Sequence, residues 1–162
     1  MKSISTMAYL LLAVPCFAAE PTYSALAEYG DWSVFTDGDV CWIETLSAWH
    51  SSEDSALRLT VTFYDDVYDG ALAVFNPRGF SEARLFALVV EGGAFPLDRE
   101  AVYPDYLFNN TSGLMSALRV TEVEMVELKV VEQVSTVTGY EFSLNGYLNA
   151  TKMAREECEG SI

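Results

Sequence analysis

From Leu57 to Phe63 the chain reads Leu-Arg-Leu-Thr-Val-Thr-Phe, apolar at each odd position and polar at each even one. A period of two marks a strand with one face on a core and the other toward water, because successive side chains leave a pleated strand on opposite sides. The alternation returns at Val126-Glu127-Leu128-Lys129-Val130 and at Tyr140-Glu141-Phe142-Ser143-Leu144. Two more strands, 32–35 and 40–46, flank the turn residues Asp37-Gly38-Asp39 and read as a hairpin. Residues 65–70 read as an acidic turn before a strand at 71–75, which Asn76-Pro77-Arg78-Gly79 ends. The continuous apolar run 85–90 suits a strand buried on both faces, and Gly92-Gly93 turns it back into 94–97.

That makes about eight strands. Residues 51–55 and 103–113 read as loops, and the last strand pair turns at Gly139 or within 135–138. A short helix is predicted at 114–119 behind Thr111-Ser112 as its cap, and a terminal helix at 148–158. No repeat or linker interrupts the pattern. The fold class expected is mainly β, an antiparallel β-sandwich or barrel-like domain with a short helix and a C-terminal helix.

The N-terminus has the three parts of a secretory signal. Lys2 is the only charge before Glu20, Met7 to Val14 form a short apolar run, and Pro15 precedes Cys16-Phe17-Ala18, with small residues at −3 and −1 of a cleavage point after Ala18. The run falls well short of the ~20 residues a membrane-spanning helix needs. The other readings are an N-terminal core helix and lipid attachment at Cys16, where Ala13-Val14-Pro15 lacks the usual leucine and small residue. The organisation expected is a removed signal at 1–18, a loose segment at 19–28 and one domain at 29–162, with no transmembrane segment in the mature chain.

Removing 18 of the 162 residues leaves about 144, enough for one domain with a substantial core. The formal charge is −15, and loss of Lys2 makes it −16. Such a field repels phosphate backbones and anionic lipid, so nucleic acid and membrane surfaces are poor partners; it favours solubility, cations or a basic partner surface, and its ordinary reading is a solvated acidic coat. Of three cysteines, Cys16 leaves with the signal, and Cys41 and Cys158 remain as an even pair. In an oxidising compartment a Cys41–Cys158 disulfide is the natural inference, the alternative being two separate buried thiols.

Few common site types survive a search for chemistry. His50 is the sole histidine, so a histidine-rich zinc centre is impossible, and two distant cysteines do not make a thiolate site. A catalytic triad would need His50 with a serine such as Ser81, yet Gly79-Phe80-Ser81-Glu82-Ala83 only partly resembles a nucleophile elbow. Asp65, Asp66, Asp69 and Gly70 fall short of a calcium loop, because Val67 takes a ligand position and no glutamate follows at the twelfth. Neither metal nor cofactor is expected. Carboxylate pairs for hydrolysis stay open, since separation in space is invisible in a sequence. Among the aromatics, Trp32 and Trp42 are expected in the core, and Trp49, Tyr103, Tyr106 and Phe108 form the candidate binding surface. Asn109 and Asn149 match glycosylation sequons, which matter only in a eukaryotic secretory pathway.

Three segments, taken in order, carry a resemblance. Gly30-Asp31-Trp32-Ser33-Val34-Phe35, the Cys41-Trp42 that follows, and Tyr140-Glu141-Phe142-Ser143-Leu144-Asn145-Gly146-Tyr147 resemble the invasion-associated locus B (IalB-like) family of bacterial exported proteins. In that family a Gly-Asp-Trp strand and a Phe-Ser-Leu-x-Gly-Phe segment bracket the domain, and a helix ending in cysteine closes it. Asn76-Pro77-Arg78-Gly79 sits where members often carry an Arg-Pro-containing turn. The resemblance spans Tyr29 to Cys158. It departs from the family at Phe35, near which many members have a further cysteine, across 80–119, and at the turn formed by 133–139. It implies a β-sandwich-like domain that is periplasmic, outer-membrane-associated or extracellular, with a link to host-cell invasion in the members that gave the family its name. No catalytic residue transfers. The reading that results is a non-enzymatic accessory or binding protein of the bacterial cell envelope, its partner an unidentified protein or envelope component. The alternatives are a small periplasmic hydrolase using an acidic pair and an assembly factor that covers the edges of other proteins.

Overall fold

A computed structural model describes residues 23–48, 56–64, 67–80, 85–99, 101–109, 113–133 and 136–159. The signal at 1–18, Trp49, His50, the polar loop, Asp65–Asp66, Ser81 and the Thr111-Ser112 cap lie outside them.

Ten strands form one continuous antiparallel sheet: β1 (Ala27–Tyr29), β2 (Trp32–Asp37), β3 (Val40–Leu46), β4 (Arg58–Tyr64), β5 (Val67–Phe75), β6 (Leu85–Val90), β7 (Gly93–Arg99), β8 (Tyr106–Asn109), β9 (Met125–Gln133) and β10 (Thr136–Ser143). Their order is β1-β2-β3-β4-β5-β8-β7-β6-β9-β10. Of the two architectures left open by the strand pattern, a single curled sheet is the barrel-like one. The helices are α1 (Leu114–Val120) and α2 (Tyr147–Glu159), each within two residues of the predicted bounds.

Two strands beyond the predicted eight are short. β1 takes Ala27 and Glu28 from the segment expected to be loose and pairs them with Val34 and Ser33. β8 takes Tyr106 to Asn109 from the expected aromatic loop and fits between β5 and β7. The acidic turn also needs correction. β5 reaches back to Val67, and between the pairs Thr62–Ala71 and Tyr64–Val67 one β4 residue faces three of β5. That is a bulge, and Gly70 at φ +80° supplies the left-handed backbone that suits a bulge and a turn alike. At the other end of the sheet Gly139 lies within β10 opposite Lys129, so it is not the turn.

Curling lets one face enclose the hydrophobic core. β4 turns Leu59, Val61 and Phe63 inward, β9 Val126, Leu128 and Val130, and β3 Cys41 and Ile43. α2 packs across β1 to β4 and presents Tyr147, Ala150, Thr151, Ala154 and Cys158 on its buried side. That spacing of three, one, three and four is the stripe of an amphipathic helix. Because Cys41 faces inward on β3 and Cys158 faces inward on α2, the two meet in a disulfide with Cα atoms 6.0 Å apart.

The two ends of the sheet are drawn together by the segments that carried the resemblance. Trp32 Nε1–H donates to the Ser143 carbonyl at 2.9 Å, and Asp31 N–H donates to the Asn145 carbonyl at 3.1 Å. Ser143 Oγ–H donates to the Asp31 carboxylate at 2.6 Å. Gly30 (φ +58°) and Gly146 (φ +90°) hold left-handed backbone at this crossing. A Cβ on Gly30 would strike the Asn145 carbonyl, and one on Gly146 would strike the Tyr29 carbonyl. Both glycines are therefore required by close approach as well as by φ. Further along, Ser47 bridges to Phe142 and Ala48 N–H donates to the Glu141 carbonyl at 2.8 Å, completing the closure.

Candidate binding face

Along β3, β4, residues 71–75 of β5, and β8, the residues that alternate with the core positions lie on the opposite face, and strand register assembles them into a lattice. One row runs Phe35, Trp42, Thr62, Ala71; the next runs Glu44, Thr60, Ala73, Phe108; a third runs Arg58, Phe75, Tyr106. Threonine and alanine in the middle columns leave a low floor between bulky ends. The result is a groove of about 960 Å³, open to solvent, running from Tyr23 and Trp42 to Tyr103, Tyr106 and Phe108. Since neighbouring strands lie about 4.8 Å apart, the three steps from β3 to β8 put its ends roughly 14 Å apart.

Aromatic contacts define both ends. Trp42 stacks on Phe35 with centroids 5.3 Å apart and takes the Tyr23 ring edge-on at 5.1 Å. At the far end Tyr106 stacks on Phe108 at 5.9 Å, while Tyr103 stands nearly perpendicular to Tyr106 at 6.5 Å and lies 6.4 Å from Phe108. Phe75 joins this cluster 4.8 Å from Tyr106 and carries the Arg58 guanidinium 5.8 Å above its ring.

Three of the four aromatics proposed from the sequence thus come together, and Trp49 lies outside the described residues. Trp32 is in the core as expected, with 1% of its surface exposed. Trp42 is not: it is half-buried on the groove face. Cys41 and Ile43 take the inward positions of β3, so alternation forces Trp42 outward. The same parity could have placed Glu44, Arg58 and Phe75 with it. Tyr23 carried no such signal, because it precedes the first strand.

Glu44 and Arg58 form an ion pair at 3.6 Å, and both also line an adjoining pocket of about 640 Å³ with Asp31 and Ser143. Burial pushes the Glu44 carboxyl above its ordinary value, and Arg58 offsets only part of the effect. Asp31, the other carboxylate of that pocket, already accepts hydrogen bonds from Ser143 and Asn145. Among the described residues no cluster of three or more His, Cys, Asp or Glu could hold a metal ion, and no helix is long and apolar enough to cross a membrane.

The raised value has a testable sign. A carboxyl that binds its proton more tightly in the folded state favours folding where it is protonated, and that contribution is lost as pH rises through the raised value. Ionised Glu44 therefore costs the fold stability at neutral pH. Glu44→Gln is expected to stabilise the protein at pH 7, by about 1 kcal/mol or less, with the advantage shrinking toward pH 4. Urea denaturation of both proteins across that range checks it; a net loss at pH 7 would mean that the Arg58 pair outweighs the burial cost.

No protein-family profile matches the sequence, and no curated protein matches it either. Among solved structures, invasion associated protein B from Bartonella henselae superposes with a TM-score of 0.58 over 82% of this chain and 97% of its own, at 16% identity. At that identity the likeness is one of fold, and this chain shares the curled-sheet fold of that Bartonella protein.

Proposed function

We propose that the chain is an exported, non-enzymatic binding protein of the bacterial cell envelope, of IalB-like type, and that the aromatic groove is its binding face. The observation that carries this reading is the position of the rings. A sheet needs one apolar face to fold, and this one has a second. Aromatic clusters on a surface that neither helix among the described residues covers are the usual anchors of a protein interface. The Gly-Asp-Trp and Phe-Ser-Leu-Asn-Gly-Tyr segments, together with the fold shared with an invasion-associated protein, support the family assignment and, through it, a role in contact with a host cell. The signal-like N-terminus and the paired cysteines support export.

One observation speaks for the hydrolase alternative: Glu44, with its raised pKa, sits where two pockets meet. The second carboxylate such a mechanism needs is the weak point, because Asp31 is committed to Ser143 and Asn145.

A pull-down from cell-envelope extract tests the binding reading when run with two baits, the parent and a Tyr106→Ala/Phe108→Ala variant. A specific partner is expected to be retained by the parent and at least tenfold less by the variant. Equal retention by both would remove the groove from the binding function.

A further inference from the structure

We propose that the corner formed by Tyr103, Tyr106 and Phe108, with Asp105 beside it, receives a lysine or arginine side chain from a basic segment of the partner protein. The proposal rests on the groove being the binding face and names the chemistry of what enters it.

Ring geometry is the first argument. The edge-on pairs Tyr23–Trp42 and Trp32–Tyr147 have centroids 5.1 and 5.2 Å apart, close enough to fill the angle between the rings. Tyr103 instead stands off from Tyr106 and Phe108 by 6.5 and 6.4 Å, at 85° and 68°. A cation seated over that triangle of rings lies within about 6 Å of all three centroids, the range over which ring quadrupoles attract positive charge. Tyr103 and Tyr106 are 54% and 36% exposed, so the corner is accessible from solvent.

Charge is the second argument. Asp105 lines the same end of the groove and forms no ion pair among the described residues. The chain as a whole carries 24 acidic residues against 9 basic ones, so its field draws cations inward. A precedent for the mode lies in the same groove, where Arg58 rests over Phe75 while its charge is met by Glu44. The Tyr103 corner brings the same two components, aromatic faces and a carboxylate, to one end of the groove. Neutral glycans also stack on aromatic rings and their hydroxyls can donate to Asp105, but they gain nothing from the net charge.

Binding of tri-arginine, tri-lysine, tri-glutamate and chitohexaose to the ¹⁵N-labelled protein, followed by amide chemical shifts, tests the assignment. The cationic peptides are expected to shift resonances around Tyr103 to Phe108, with affinity that falls as salt rises. Tyr103→Ala, at an exposed position, and Tyr106→Ala/Phe108→Ala leave the charge unchanged and should weaken binding at least tenfold. Asp105→Asn should weaken it severalfold, whereas Glu156→Gln, which removes an equal charge on the exposed face of α2, should leave it nearly unchanged. Chitohexaose shifting the same resonances while the cationic peptides do not would overturn the cationic ligand and keep the groove as the binding face. Cationic peptides shifting residues elsewhere, with no sensitivity to the ring substitutions, would overturn the corner, as would no binding at millimolar peptide. The binding-face reading itself fails on a different result, equal retention of the envelope partner by parent and groove variant.

Discussion

Reducing the Cys41–Cys158 bond is expected to remove up to about 4–5 kcal/mol of stability, and measured losses of this kind run to roughly 2–5 kcal/mol. The bond spans 117 residues, so in the chain-entropy account it restrains most of the chain when unfolded. For a domain of this size the loss corresponds to a melting temperature lower by roughly 10–15 °C. Cys41→Ala/Cys158→Ala should reproduce it, plus a packing cost, because both cysteines belong to the buried cluster. Two further signs separate this mechanism from simple loss of packing. The urea dependence should steepen on reduction, since an unlinked chain exposes more surface when it unfolds. Reduction of the folded protein should also be slow, because Cys41 and Cys158 are only 1% and 5% exposed and a reductant must wait for the end of α2 to open. An unchanged urea midpoint after full reduction would mean that the bond contributes nothing to stability.

That cross-link was legible in the sequence because setting Cys16 aside with the predicted signal leaves an even pair, which an oxidising compartment would join; that both cysteines face inward, from β3 and α2, is what the structure adds. The long strands were legible for the same kind of reason. Leu59, Val61 and Phe63 repeat a period that only a half-buried strand uses. β1 and β8 were not, because three or four residues cannot establish a period and Pro104 beside Asn109 argues for a loop. The bulge before Ala71 was misread because Asp69-Gly70 suits a turn and a bulge equally. Of the groove, the Tyr103–Phe108 half was visible as a local cluster of rings. The rest of it, Phe35, Trp42, Arg58 and Phe75, was not, because it exists only once strand register sets residues from four strands side by side.

The crossing of the two family-like segments predicts the second large effect. Trp32→Ala is expected to destabilise the protein by about 3–5 kcal/mol, the range for removing a fully buried large aromatic. Part of that is volume, since the indole packs edge-on against Tyr147 at 5.2 Å. Another part is polar, since its N–H donates to the Ser143 carbonyl. Trp32→Phe separates them: it keeps most of the ring and loses the donor, for an expected cost of about 1–3 kcal/mol. Asp31 and Ser143 share the crossing, so Trp32→Phe combined with Ser143→Ala should fall short of the sum of the single losses, as neighbours in one network do. Additive losses would mean that the contacts act separately and that the sheet ends are held elsewhere, through Ser47 and Phe142. Because Trp32 faces the core and the groove lies on the other side of the sheet, Trp32→Phe should leave binding to the groove unchanged while it lowers the urea midpoint. A loss of binding in step with stability would place the function in the crossing itself.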